Sequence, residues 1–161
     1  MEGYTRKHCG ASSGLLKKLV TTTNNYFTLY LINFNNMIFG IGTDLIDVER
    51  VMQKMEKKDG FKELVFSAEE ILYCEARKFK YEHYSARFAA KESFLKAIGT
   101  GWSKGTAFNE IEIYNNEQGK PELRFQEKNK KTVEGLQAGK IFVSLSHTKT
   151  MASAMVIIEK L

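Results

Sequence analysis

At 161 residues, 43% hydrophobic and 27% charged, the chain is long enough for one domain with its own core, without disulfides or a structural metal. A single proline argues against long disordered linkers, and the two cysteines, Cys9 and Cys74, make neither a disulfide framework nor a zinc spacing, so a reducing cytosol is the default. The net charge of +5 is uneven: residues 1–36 carry Arg6, Lys7, Lys17 and Lys18 against Glu2, leaving only +2 on the rest, which is too little to argue for nucleic acid but permits an acidic partner at a local basic patch.

Residues 1–36 are rich in Thr, Asn and Ser and show no sustained period. Three readings stand: a vector-derived leader or misassigned start codon, a basic and acid-poor transit peptide, or a folded accessory segment. The first is favoured, because Met37 opens a strand at once. The longest greasy run here, Tyr26 to Phe34, contains Thr28 and Asn33 and falls well short of the ~20 apolar residues of a transmembrane helix. No membrane span is expected anywhere.

From Met37 the pattern sharpens. Residues 37–42 are a short apolar run that predicts a buried strand, with Asp44 at its end. Asp47 is placed to cap a helix reaching Lys58, with Val48, Val51, Met52 and Met55 on one face and Asp59-Gly60 as its stop. Ser67 and Glu70 have the spacing of a capping box, which predicts a second helix over 67–77. The longest helix is expected over 81–98, stopped by Gly99. Residues 108–114 alternate apolar and polar, so a half-buried strand is expected there, with a turn at 115–119 and a return strand over 121–125. A polar-faced helix over 126–137 and a hairpin of 141–146 with 151–158 complete the chain. Strands cluster late rather than alternating with helices, so the fold class is α+β, an antiparallel sheet packed on the long helix.

Three places carry possible chemistry. A carboxylate closing an apolar strand needs water, a donor or a cation. Asp44 is therefore either a cap or turn residue or a ligand for a hard metal such as magnesium. In the segment 87–101, Phe88, Phe94, Leu95 and Ile98 share one helix face, and Glu92 and Lys96 lie one turn apart on its flank. The plain reading is a surface ion pair; the functional one is a carboxylate holding a cation beside an ammonium holding a phosphate. The Gly99-Thr100-Gly101 turn lets a pyrophosphate approach the backbone, although it is neither a dinucleotide fingerprint nor a P-loop. Near the last hairpin tip, Ser146, His147 and Thr148 offer two hydroxyls and an imidazole to a phosphate, though a lone histidine is more often structural.

Together and in this order, the segments 38–50, 87–101 and 143–148, with 109–113 and Gly119-Lys120-Pro121 between them, resemble the small holo-[acyl-carrier-protein] synthases, the bacterial 4′-phosphopantetheinyl transferases. The resemblance covers residues 37–161 and leaves 1–36 outside. Ser93 stands where the family usually has alanine. The resemblance implies the phosphopantetheinyl transferase fold and a reaction in which a carrier-protein serine attacks the β-phosphate of coenzyme A, releasing adenosine 3′,5′-bisphosphate, in support of fatty acid biosynthesis. It implies Asp44 and Glu92 as magnesium ligands and Asp44, Glu92 and Lys96 as the catalytic set. Arg87, Lys96, Gly99, Gly101, Ser146, His147 and Thr148 would bind coenzyme A. It also implies a cytoplasmic homotrimer, each site using Asp44, Glu92 and Lys96 of one chain and the 146–148 loop of the next. The acidic acyl carrier protein would dock on the first helix, at Arg50, Met52, Lys54 and Met55, with Lys57 and Lys58 nearby. Neither nucleic acid nor membrane is expected as a partner.

Two rivals are set against this. A metal-dependent nuclease also uses Asp, Glu and Lys, but the nucleases that end in Glu-x-Lys space that pair by two on a strand, whereas Glu92 and Lys96 are four apart on an expected helix. A non-enzymatic binding module leaves the paired carboxylates without a purpose.

Overall fold

A computed structural model of the chain describes residues 38–57, 59–101, 107–136 and 138–161; the expectations for residues 1–36, Met37 and Lys58 fall outside them. The first apolar run forms strand β1 (Ile38–Asp47), longer than expected, so that Asp44 lies within the strand rather than at its end. The ladder explains the extension. Backbone pairing with the last strand continues to Asp47↔Met151, and it does not require apolar side chains. Helix α1 (Val48–Glu56) follows with Asp47 at its N-cap, but the Asp47 side chain makes no cap bond. Instead the Val48 N–H, at the helix start, donates to Thr150 O at 2.8 Å, tying α1 to the far hairpin.

A short helix α2 (Phe61–Val65) was not anticipated: five residues are too few to show a period. Helix α3 (Ala68–Glu75) begins with the expected capping box, Glu70 N–H donating to Ser67 Oγ and Ser67 N–H to the Glu70 carboxylate. Helix α4 (Lys80–Ile98) ends as expected at Gly99, whose φ of 71° is the left-handed cap. The expected strand at 108 starts later: Phe108–Glu110 is a 3-10 turn, and β2 (Ile111–Asn115) pairs antiparallel with β3 (Pro121–Phe125). Helix α5 (Glu127–Gly135) leads into β4 (Ala138–His147) and β5 (Met151–Lys160), the former starting three residues early across a register shift.

The main sheet has the order β1-β5-β4, all antiparallel, with β2-β3 as a separate hairpin. Helix α4 lies directly on β1. A Cβ added at Gly40 would stand 2.0 Å from Ala97 O, and one at Gly42 would stand 1.9 Å from Ser93 O. The two missing side chains are what let the helix backbone reach the strand backbone. The Ser93 hydroxyl, fully buried there, shares its one proton between Ala89 O at 2.7 Å and Ala154 O at 3.0 Å.

Phe88, Phe94, Leu95 and Ile98 pack in or against the core as expected, but the buried surface of α4 is wider than that one face. Tyr84, Ala86, Ala89, Ala90, Phe94, Leu95 and Ala97 are all buried, because the sheet covers one side and α1, α3 and the β2-β3 hairpin cover others. Even Lys91 is wholly buried. Its ammonium donates to Glu70 Oε2 at 2.6 Å, Val65 O at 2.6 Å and Phe108 O at 2.9 Å, which uses all three protons. Burial pulls its pKa below the usual lysine range, with the Glu70 carboxylate opposing that pull. Glu70 in turn accepts the Ile113 N–H at 3.1 Å, so one carboxylate ties α3, α4 and β2 together.

Candidate active site

Because α4 crosses β1 at Gly40 and Gly42, the next inward position on β1, Asp44, faces the last turns of the helix. The Lys96 ammonium donates to Asp44 Oδ1 at 2.7 Å and to Thr43 O at 3.1 Å. The Asp44 side chain is 15% exposed and that of Lys96 51%. One turn earlier on α4, Glu92 joins Asp44 in lining a cavity of about 340 Å³. The rest of its wall includes Arg50 and Lys54 from α1, Phe61 from α2 and Phe88 from α4. Two carboxylates distant in sequence thus meet beside two cations of the first helix. Among the described residues, no group of three or more His, Cys, Asp or Glu gathers as a metal cage, so a cation held by Asp44 and Glu92 needs the rest of its shell from substrate and solvent.

The other candidate residues lie elsewhere. Gly99 and Gly101 follow α4, both at positive φ, with open space where a side chain would be. Met52 is half-buried, while Met55 packs against the core and lines a second cavity with Phe61 and Tyr81. Both methionines are therefore partly committed to packing, while Arg50, Lys54 and Lys57 are exposed.

Ser146, His147 and Thr148 sit at the far end of the long helix. The His147 imidazole stands 3.6 Å from the Glu82 carboxylate and edge-on to His83, with ring centres 5.1 Å apart. Glu82 precedes Lys96 by about 20 Å along α4 at 1.5 Å per residue. Burial first, then the neighbouring His147, Arg87 and Arg77, hold the His83 imidazole below its ordinary pKa. The Thr148 hydroxyl accepts from Met151 N–H at 3.1 Å and shapes the turn. Arg87 is also at this end. It is buried, its guanidinium stacked 3.9 Å from the Tyr73 ring centre, with Arg77 4.2 Å from the same ring. The Arg87 Nε has no partner. Within one chain, then, Asp44, Glu92, Lys96, Arg50 and Lys54 come together, and Arg87 with the 146–148 loop does not join them.

The sequence assigned no role to Gly40, Gly42 or Lys91, and to Glu70 only its half of the capping box. Lys91 stood inside the segment that carries the resemblance, and the small and apolar Phe88-Ala89-Ala90 before it and Ser93-Phe94-Leu95 beyond Glu92 were the signal that it is buried.

Comparison with known proteins agrees with this geometry. Residues 40–147 match the profile of the 4′-phosphopantetheinyl transferase superfamily. The chain is 47% identical over 130 residues to a holo-[acyl-carrier-protein] synthase of Cytophaga hutchinsonii, covering 77% of this chain and 99% of that one. Among solved structures it is similar to the holo-[acyl-carrier-protein] synthase of Neisseria meningitidis, with a TM-score of 0.72 and 32% identity over 77% of this chain and 100% of the other. It is also similar to that of Bacillus anthracis in complex with CoA (3′,5′-ADP), with a TM-score of 0.65 and 33% identity over 78% and 99%. Profile, relatives and fold agree: the chain belongs to the 4′-phosphopantetheinyl transferase superfamily.

Proposed function

We propose that this enzyme transfers 4′-phosphopantetheine from coenzyme A to a serine of apo-acyl carrier protein, with magnesium, in support of fatty acid biosynthesis in the cytoplasm. The observation that carries the reading is the shared cavity, where Asp44 and Glu92 meet the basic face of α1 at Arg50 and Lys54. An acidic carrier protein attracted to that face would deliver its serine beside the two carboxylates. The catalytic unit in this reading is 37–161. It rests on the superfamily match over 40–147, with 1–36 outside it.

The serine hydroxyl gives up its proton to Glu92 or to solvent, its oxygen forms a bond to the β-phosphorus, and the bond from that phosphorus to the bridging oxygen breaks, releasing adenosine 3′,5′-bisphosphate. Asp44 and Glu92 offer two hard oxygen donors to one cavity, which suits magnesium completed by pyrophosphate oxygens and waters. When bound, magnesium supplies neutralisation of the pyrophosphate charge. Lys96, on a half-exposed side chain, turns to the same phosphates. The left-handed turn at Gly99 and Gly101 leaves the backbone open to them.

The site is completed by a second copy in a homotrimer. Two observations support this. In its own chain His147 packs at Glu82, about 20 Å of helix from Lys96, and Arg87 lies about 13 Å of helix from it, so they would serve a neighbour's site. The sheet face turned away from α4 is also apolar and open, with Ile41 56%, Leu45 64% and Met155 47% exposed.

The direct test is incubation with coenzyme A, magnesium and apo-acyl carrier protein. The carrier is expected to gain the mass of one phosphopantetheine on its serine, and no gain with folded protein would refute the reading.

A further inference from the structure

We propose that Lys96 is a tethered placeholder on Asp44, so that the metal loads tightly only when the coenzyme A pyrophosphate draws the ammonium away. The inference rests on the function proposed above and concerns the order in which that site fills.

The geometry has three parts. First, the Lys96 ammonium is at contact distance from Asp44 Oδ1, 2.7 Å, and is held a second time by Thr43 O at 3.1 Å. A dication and an ammonium that share one carboxylate at contact repel each other, so entry of a metal at Asp44 requires the ammonium to move. Second, only the side chain is free to do so. The helix segment that carries Lys96 is seated on β1 at Gly40 and Gly42 and held by the Ser93 hydroxyl on Ala154 O. The Lys96 side chain itself is half-exposed. Third, the carboxylate left behind is 15% exposed and shares its cavity with Glu92.

An anion with several oxygens is what such an arrangement awaits. A pyrophosphate takes up the ammonium and adds oxygen donors at the vacated carboxylate in one event. Metal and coenzyme A must then promote each other's binding, and by linkage each tightens the other by the same factor. Lys96 is the part of that coupling that resides in the chain itself. Removing it leaves only the coupling through direct metal–pyrophosphate contact.

The test uses manganese(II) as a spectroscopic substitute for magnesium, with the free ion counted by electron paramagnetic resonance. Binding is measured with and without coenzyme A and with no carrier protein, so no turnover enters the readout. Wild type is compared with Lys96→Met, Lys96→Gln and Lys54→Met. Lys54→Met removes an equal charge from the cavity that Asp44 and Glu92 line and leaves the Lys96–Asp44 pair in place. Both Lys96 variants are expected to bind manganese alone about two- to fivefold more tightly than wild type, the range of a partly exposed ion pair. They are also expected to show a smaller tightening by coenzyme A. Lys54→Met is expected to shift manganese affinity less. If the Lys96 variants bind manganese no tighter than wild type, or Lys54→Met matches them, the placeholder is overturned while the transferase reading stands. If wild type binds no coenzyme A with or without manganese, both fall.

Discussion

Gly42→Ala is the sharpest probe of how the fold builds the site. The added Cβ would stand 1.9 Å from Ser93 O, 2.8 Å from Ala97 N and 2.9 Å from Ser93 C, all backbone atoms of α4. Ordinary contact begins near 3.4 Å, so helix and strand must part by about 1.5 Å, and no flexible side chain can absorb it. Overpacking of this kind costs about 1–3 kcal/mol, and it breaks the buried bond from Ser93 to Ala154 O that sits at the same crossing. The displaced segment carries Glu92 and Lys96, while Asp44 stays with the sheet. A misplacement of about 1 Å in a site of this type costs on the order of a hundredfold in rate. Thermal melting and the carrier-protein mass assay together are expected to show a folded but less stable protein with turnover down about a hundredfold or more. Gly119→Ala serves as the control: it strains a left-handed residue with open space around it, far from this crossing, and is expected to spare turnover. If Gly42→Ala keeps wild-type rate and melting temperature, the close approach of α4 to β1 does not set the site.

Asp44→Ala and Glu92→Ala are each expected to cripple turnover at every magnesium concentration without lowering the melting temperature; near-normal rates at low magnesium would remove both from the metal site. Glu70→Ala is expected to cost about 3–5 kcal/mol by denaturant titration, since it leaves the buried Lys91 ammonium unpaired, and a change under 1 kcal/mol would refute the buried pair. His83 is held below its ordinary 6.5, so the unfolded chain takes up its proton first as pH falls. The stability His83 lends is present above that value and is lost below it, so the melting-temperature gap between wild type and His83→Gln should shrink from about pH 7.5 to about pH 5, and a constant gap would contradict it. Mixed and refolded Glu92→Ala and His147→Ala chains are expected to regain activity that neither has alone; with His147→Ala itself impaired, no regain would exclude sites shared between copies.

The helix ends were legible because their signals are local. Ser67 with Glu70 and the stop at Gly99 each act within one turn, and both are found in place. What was not legible depends on partners far along the chain. Glu70 looked fully employed as half of a capping box, yet it also meets Lys91 and Ile113, 21 and 43 residues on. Gly40 and Gly42 looked like ordinary members of an apolar strand, and their purpose appears only with Ala97 and Ser93 laid across them. Asp44 was placed at a strand end because the apolar run stops before it, whereas the ladder follows backbone pairing with β5. The spacing of Glu92 and Lys96 suggested that the two pair with each other, but the ammonium reaches across to the strand.

Strand β5, the last of the described strands, is also the middle of its sheet, with β1 on one side and β4 on the other. During synthesis, β1, α4 and β4 all leave the ribosome before the sheet has a centre. β1 and α4 must wait with an open ladder and an apolar floor until residues 151–160 emerge, which makes the partly made chain a natural client for a chaperone. Contacts that join the first described residues to the last also slow the search for the native state. A premature stop before Met151 would therefore not trim an edge but leave β1 and β4 without the strand they both pair with.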